Sequence, residues 1–129
     1  MARSYHIDIA RDVVDADRKW VDNLLSHFKI PGVECAQRGI PRRISASGVH
    51  HVALIRHLTQ QLGLGVGGAV ALAGKLLDGA DAELALPVGL ELRFDQAAFE
   101  QDVDRRIHAS VESVTPARRG RPPQQVSRR

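Results

Sequence analysis

The sequence predicts a mainly α fold with a small β hairpin and a C-terminal helix. Apolar residues recur at helical spacing in three stretches, at about 17–28, 47–62 and 95–114. Each stretch is preceded by an aspartate or a serine, the residue types that cap helix N-termini. Between the first two stretches, residues 33–45 have no helical period and contain glycine and proline, which is typical of a hairpin.

The N-terminal half is predicted to hold short elements followed by two helices. Residues 5–8 form a strand or a turn, and residues 9–14 form a brief helical turn. The segment 15–17 offers an N-cap to the first long helix, and Pro31-Gly32 ends it. Its apolar stripe consists of Val21, Leu24, Leu25 and Phe28, with Trp20 beside them. Ser45 or Ser47 caps the second helix. Its buried face is predicted to consist of Val49, Val52, Ile55, Leu58 and Leu62, with His51 packed beside them. Its polar face is predicted to carry His50, His57 and Gln61.

The C-terminal half is predicted to contain two more helices. Residues 66–77 are apolar nearly all round, which fits a helix buried between neighbours. Residues 83–94 alternate between polar and apolar and favour a strand or hairpin. Asp95 caps the last helix, whose narrow apolar stripe packs back on the domain or pairs with a second copy. The residues of that stripe are Phe99, Val103, Ile107 and Val111, followed by Val114.

The charge distribution indicates a nucleic-acid partner. The net charge is +3, and 15 of the 18 basic residues are arginine, which makes forked contacts to phosphate and guanine. Residues 116–129 carry five arginines and no acid, so this tail is expected to be disordered alone. We expect three regions: a folded unit at 1–80, a strand or hairpin with an oligomerisation helix at 81–115, and the basic tail.

Several other function classes find little support. The longest uncharged stretch, 58–74, is 17 residues long and polar in part, too short for a membrane span. A single Cys35 excludes an internal disulfide and a cysteine-built zinc finger. Residues 63–68 fit G-x-G-x-x-G, but a predicted helix precedes them where a dinucleotide site needs a strand. His50 and His57 lie about 10 Å apart along one helix and cannot chelate one ion alone. We expect no catalytic site, metal or cofactor, and a cytoplasmic protein, because no signal peptide opens the sequence.

Residues 7–77 carry a family resemblance. The matching segments are Ile9-Ala10-Arg11, Trp20-Val21-Asp22-Asn23-Leu24-Leu25, Arg38-Gly39-Ile40-Pro41-Arg42-Arg43-Ile44-Ser45, and Val52-Ala53-Leu54-Ile55-Arg56-His57-Leu58. In this order they resemble the MerR-like and excisionase-like winged helix-turn-helix proteins. The resemblance implies a winged helix-turn-helix core, whose second helix enters the major groove and whose wing grips the flanking backbone. Asp22 departs from the family pattern, because the family has Thr/Leu-Arg and an aromatic in this helix.

The resemblance also implies the binding residues. The second helix would contact DNA through Arg18, Lys19, Asn23 and Ser26, and the wing through Arg38, Arg42 and Arg43. A homodimer, formed through Phe99, Val103, Ile107 and Val111, would match the twofold sites that such proteins read.

The tail contains a second resemblance. Arg119-Gly120-Arg121-Pro122 is similar to an AT-hook, in which arginines extend along a narrow A·T minor groove. A tail that only solubilises the chain or binds phosphate is the alternative.

These patterns lead to two hypotheses about function. The first is a non-enzymatic, sequence-specific DNA-binding protein, a bacterial transcriptional regulator with double-stranded DNA as its partner. The second is an antitoxin or adaptor that binds and neutralises a partner protein, such as a toxin, through its acidic middle or its last helix. Such a protein could also regulate its own operon.

Overall fold

The computed structural model describes residues 4–34, 42–78 and 93–114. About 72% of these residues are helical and the strands form one small antiparallel sheet, which confirms the mainly α prediction. The elements in chain order are β1 (Ser4–His6), α1 (Ile7–Val14), α2 (Arg18–His27), β2 (Val33–Glu34), β3 (Arg43–Ser45), α3 (Ala46–Gln61), α4 (Val66–Leu77) and α5 (Gln96–Val114).

Helices α1 and α2 are joined by a three-residue turn that local side-chain chemistry fixes. Asp15 ends α1 in the left-handed region, with φ of 53°, a conformation that aspartate tolerates better than most residues. The Asp17 carboxylate accepts a hydrogen bond of 2.8 Å from the Trp20 amide and so caps α2, as its position in the sequence predicts. The two helices are therefore joined by a short turn that is fixed at both of its ends.

The sheet has the strand order β1-β3-β2, so the last strand in the sequence is the central one. Tyr5 of β1 and Val33 of β2 both lie opposite Ile44, which is fully buried. The predicted hairpin over 33–45 is present as the antiparallel pair β2–β3.

The turn before β2 requires glycine at one position. Gly32 has φ of 87°, and its carbonyl accepts a hydrogen bond of 2.8 Å from the Ser45 amide. A Cβ atom on Gly32 would lie 2.4 Å from Ser45 Oγ and 2.6 Å from the Gly48 amide nitrogen. The start of α3 therefore packs directly on the backbone of this turn.

Helix α3 is the centre of the hydrophobic core. Ser45 caps it by accepting from the Gly48 amide, and the predicted face of Val49, Val52, Ile55 and Leu58 is buried. His51 is also buried, as predicted, with its Nδ1 2.8 Å from the Ser47 carbonyl oxygen. The prediction for Leu62 is wrong: its side chain is 52% exposed. Helix α3 ends at Gln61, and Gly63, with φ of 69°, turns the chain away from the core.

Helix α4 has the predicted bounds but not the predicted burial. It packs on α3 through Ala69, Leu72, Ala73 and Leu76. Gly67, Gly68 and Ala71 are exposed, so the helix is buried on one side and not between neighbours. Small residues without polar atoms give no amphipathic contrast, and the apolar character of α4 therefore overstated its burial.

Helix α5 packs back on its own domain. Asp95 caps it through the Ala98 amide at 3.0 Å, as predicted. The helix lies against α1 and α3, where Val103 and Ile107 are 2% and 4% exposed and belong to the common core. Phe99 and Val111 are partly buried against the same core. Val103 and Ile107 are therefore covered within the chain and do not form the predicted dimer interface, whereas the assignment of Phe99 and Val111 to it stays a prediction.

Two predictions concern segments that lie wholly or mostly outside the described residues. The strand or hairpin expected at 83–94 lies outside the described residues except for 93 and 94, which have no regular secondary structure. The basic tail at 116–129 lies outside them altogether. Within the described ranges, no helix combines the length and the apolar character that crossing a bilayer requires.

Candidate nucleic-acid interface

Helix α2 has one buried face and one exposed polar face. Val21 and Leu24 are buried in the core. The four residues predicted to read DNA are all exposed, and they are Arg18, Lys19, Asn23 and Ser26. Residues three and four apart in a helix are surface neighbours, so Lys19, Asn23 and Ser26 form one continuous polar strip. The structure therefore brings these predicted residues together on a surface that a groove could receive.

The orientation of α2 is fixed by contacts on its buried side. The Arg56 guanidinium of α3 lies 4.7 Å from the centroid of the Trp20 ring, a cation–π contact. At the other end, the Phe28 amide donates to the Leu24 carbonyl at 3.0 Å. The polar strip is therefore presented by a helix that is capped at its start and held to the core by Val21 and Leu24.

Charge on α2 is mixed. Arg18 Nε lies 3.5 Å from Asp22 Oδ2, and both side chains are well exposed, at 75% and 48%. Exposed pairs of this kind contribute about 0–1 kcal/mol, so a phosphate could replace Asp22 as the partner of Arg18 at little cost. Lys19 makes no ion pair with any described residue.

A depression of about 610 Å³ lies where α2 ends and the sheet begins. Leu25, Phe28 and Val33 contribute to its apolar wall, and Lys29 and Arg42 add two positive charges. Sequence reasoning missed Lys29 because it follows the end of the helical pattern. The sequence signal that could have identified Lys29 is a basic residue directly before the turn at Pro31 and Gly32.

The two wing arginines have different surroundings. Arg42 lines the depression and faces the same surface as Lys29. Arg43 is partly buried and donates to Ser4 in β1, with 2.8 Å from its Nη2 to the carbonyl oxygen and 3.4 Å from its Nε to Oγ. Arg43 therefore joins two strands of the sheet through Nε and Nη2, and its contact to phosphate stays a prediction. Arg38 lies outside the described residues, as do Arg119, Gly120, Arg121 and Pro122.

The remaining polar groups do not assemble into a metal-binding or nucleotide-binding arrangement in the described part of the chain. No three His, Cys, Asp or Glu side chains there come together as metal ligands. The G-x-G-x-x-G segment at 63–68 begins after the end of α3 and runs into the start of α4, so a helix and not a strand precedes it. His50 Nε2 lies 2.7 Å from Asp104 Oδ1, which joins α3 to α5.

Comparison with known proteins adds no family to this description. No protein-family model, no curated protein and no solved structure matches the chain, so the support for any function comes from its own sequence and geometry.

Proposed function

We propose that the chain is a non-enzymatic, sequence-specific DNA-binding protein with a winged helix-turn-helix core. The observation that carries the proposal is the exposed polar strip of α2, Lys19, Asn23 and Ser26, on the second helix of a tightly turned pair. In helix-turn-helix proteins the second helix lies in the major groove and its side chains contact base edges. Lysine pairs with guanine and asparagine with adenine in that groove.

The basic depression supports contacts to the DNA backbone. Lys29 and Arg42 lie together just beyond the end of α2, next to the β2–β3 pair. A helix seated in the major groove brings such flanking cations near the phosphates on either side. In this proposal α2 reads bases, while Lys29, Arg42 and Arg18 hold the backbone.

The partner-neutralising alternative has weaker support. Its acidic surface was expected in the middle of the chain or on the last helix. On that helix Asp102 forms ion pairs with Arg105 and Arg106, and Asp104 Oδ1 lies 2.7 Å from His50 Nε2. Asp102 is therefore neutralised within the chain. A homodimer also stays a prediction, and Val103 and Ile107 do not form its interface.

The test begins by selecting bound duplexes from a random library with the full chain and measuring affinity for the enriched sequence. Lys19→Glu should weaken specific binding by about 1–3 kcal/mol. Lys75→Glu is the matched control, because Lys75 is an exposed lysine on α4, and this variant should bind as the wild type does. Asn23→Ala should relax the preference at one base position.

A salt titration separates phosphate contacts from base contacts. Each neutralised phosphate contributes about −0.9 to the slope of log K against log salt. Lys29→Gln and Arg42→Gln should each flatten that slope by about 1 without changing the preferred sequence. If the library yields no enriched sequence, or if Lys19→Glu binds like Lys75→Glu, the proposal is wrong.

A further inference from the structure

A second cavity lies away from the α2 strip. It has a volume of about 160 Å³ and is bounded by the end of α1, the middle of α3 and the face of α5. Val13, Ala53 and Val103 contribute apolar surface to it. An apolar cavity of about 150 Å³ takes up benzene, so this one has room for a ligand of roughly six non-hydrogen atoms.

The charged groups around the cavity do not all neutralise one another. Asp102 and Arg106 form a pair at 3.0 Å. Arg56 has no ion pair with any described residue, and its Nε is buried without a hydrogen-bond partner. Asp15 likewise forms no ion pair there. The cavity therefore has one cation and one anion that lack partners of opposite charge.

The backbone at Asp15 strengthens the case for a role of its carboxylate. Asp15 has φ of 53°, a conformation in which glycine is the residue of lowest energy. Aspartate adopts this conformation more readily than most residues, and the Asp15 backbone closes the end of α1. Its carboxylate makes no hydrogen bond within the described residues, so it is available to a ligand.

We propose that this cavity binds a small zwitterion, an amino acid of about the size of alanine. Its carboxylate would accept from the Arg56 guanidinium, its ammonium group would pair with Asp15, and its side chain would contact Val13 and Val103. An anion alone would pair with Arg56 but be repelled by Asp15. A cation alone would pair with Asp15 but be repelled by Arg56. A zwitterion pairs with both groups, and charge-assisted hydrogen bonds are the stronger class.

Occupancy of the cavity would be sensed at α2. Arg56 stacks on Trp20 at 4.7 Å, so a ligand that takes hydrogen bonds from Arg56 changes the environment of that ring. Trp20 is the only tryptophan in the chain, and its fluorescence therefore reports the event without DNA. An effect of the ligand on DNA affinity follows only through α2, and that step rests on the proposed function.

The first experiment titrates L-alanine into the full chain and follows heat by calorimetry and Trp20 fluorescence. Propionate and isopropylamine serve as probes that each lack one charged group. We expect saturable binding of L-alanine, with each single-charge probe at least about tenfold weaker. An absence of saturable heat with L-alanine, or equal affinity for propionate, would overturn the proposal.

Variants then locate the site. Asp15→Asn and Arg56→Gln should each weaken L-alanine binding about tenfold or more. Asp78→Asn is the matched control, because Asp78 is also a C-cap aspartate, and it should leave binding unchanged. Asp15→Gly gives the sharpest result: thermal stability should hold or rise, because glycine suits φ of 53°, while binding is lost. Retained binding in both Asp15 variants would remove the site.

The link to DNA is tested separately. Saturating L-alanine should change the affinity of the wild type for its selected duplex, and should have no effect on Asp15→Asn. Because ligand binding is measured without DNA, a failure of the DNA-binding proposal does not affect it. An unchanged DNA affinity at saturation would overturn the coupling through Trp20.

Discussion

Replacing Ile107 with alanine tests whether α5 belongs to the core or to an interface between copies. The Ile107 side chain is 4% exposed and lies in the cluster formed with α1 and α3. Truncating a buried isoleucine to alanine costs about 2–5 kcal/mol, against a total of about 5–15 kcal/mol for a typical domain. At about 2–8 °C for each kcal/mol, the range that covers single domains on either side of this size, the melting temperature should fall by about 4 °C or more.

The assay is thermal unfolding followed by circular dichroism at two protein concentrations far apart. Because the packing is within one chain, the loss should be the same at both concentrations. Arg105→Ala is the control on the same helix, since Arg105 is 72% exposed, and it should stay within about 0.5 kcal/mol of the wild type. A small loss would show that Ile107 is not covered by α1 and α3. A loss that appears only at the higher concentration would show that a second copy covers it.

Three further substitutions or truncations test local features. Asp17→Ala removes the acceptor of the Trp20 amide and should cost about 0.5–2 kcal/mol in urea unfolding, whereas Asp17→Ser should recover most of the loss. Gly32→Ala places a Cβ against Ser45 Oγ at a positive φ, so it should destabilise by more than about 1 kcal/mol; a neutral result would mean that Ser45 does not pack against Gly32. Removing residues 116–129 should leave the melting temperature unchanged and flatten the salt slope of DNA binding by about 2–3 if two or three arginines contact phosphates; an unchanged slope would remove the tail from the interface.

Capping chemistry made most helix starts predictable from the sequence. Asp17, Ser45 and Asp95 each accept a hydrogen bond from an amide three residues ahead, and that signal is contained in a few consecutive residues. The polar strip of α2 was predictable for the same reason, because helical periodicity alone separates Lys19 and Asn23 from the buried side.

The sequence did not predict which part of the molecule packs against an apolar helix face. The stripe on α5 was recognised, but periodicity does not distinguish a core of the same chain from a second copy. The role of Arg43 depended on a partner 39 residues away in β1, and that of Arg56 on the ring of Trp20 across two helices. Such contacts follow from tertiary packing, which short sequence patterns do not encode.

The strand order has a consequence for how the chain folds. Because β3 is the central strand, β1 cannot pair until the chain has been extended through residue 45. Pairing β1 with β3 closes a loop of the chain that contains α1 and α2. The conformational entropy lost in closing this loop must be offset before the sheet contributes stability. A nascent chain that ends before β3 therefore lacks the partner of both outer strands. We expect this domain to acquire its structure late and cooperatively during synthesis, once α3 can close over the sheet.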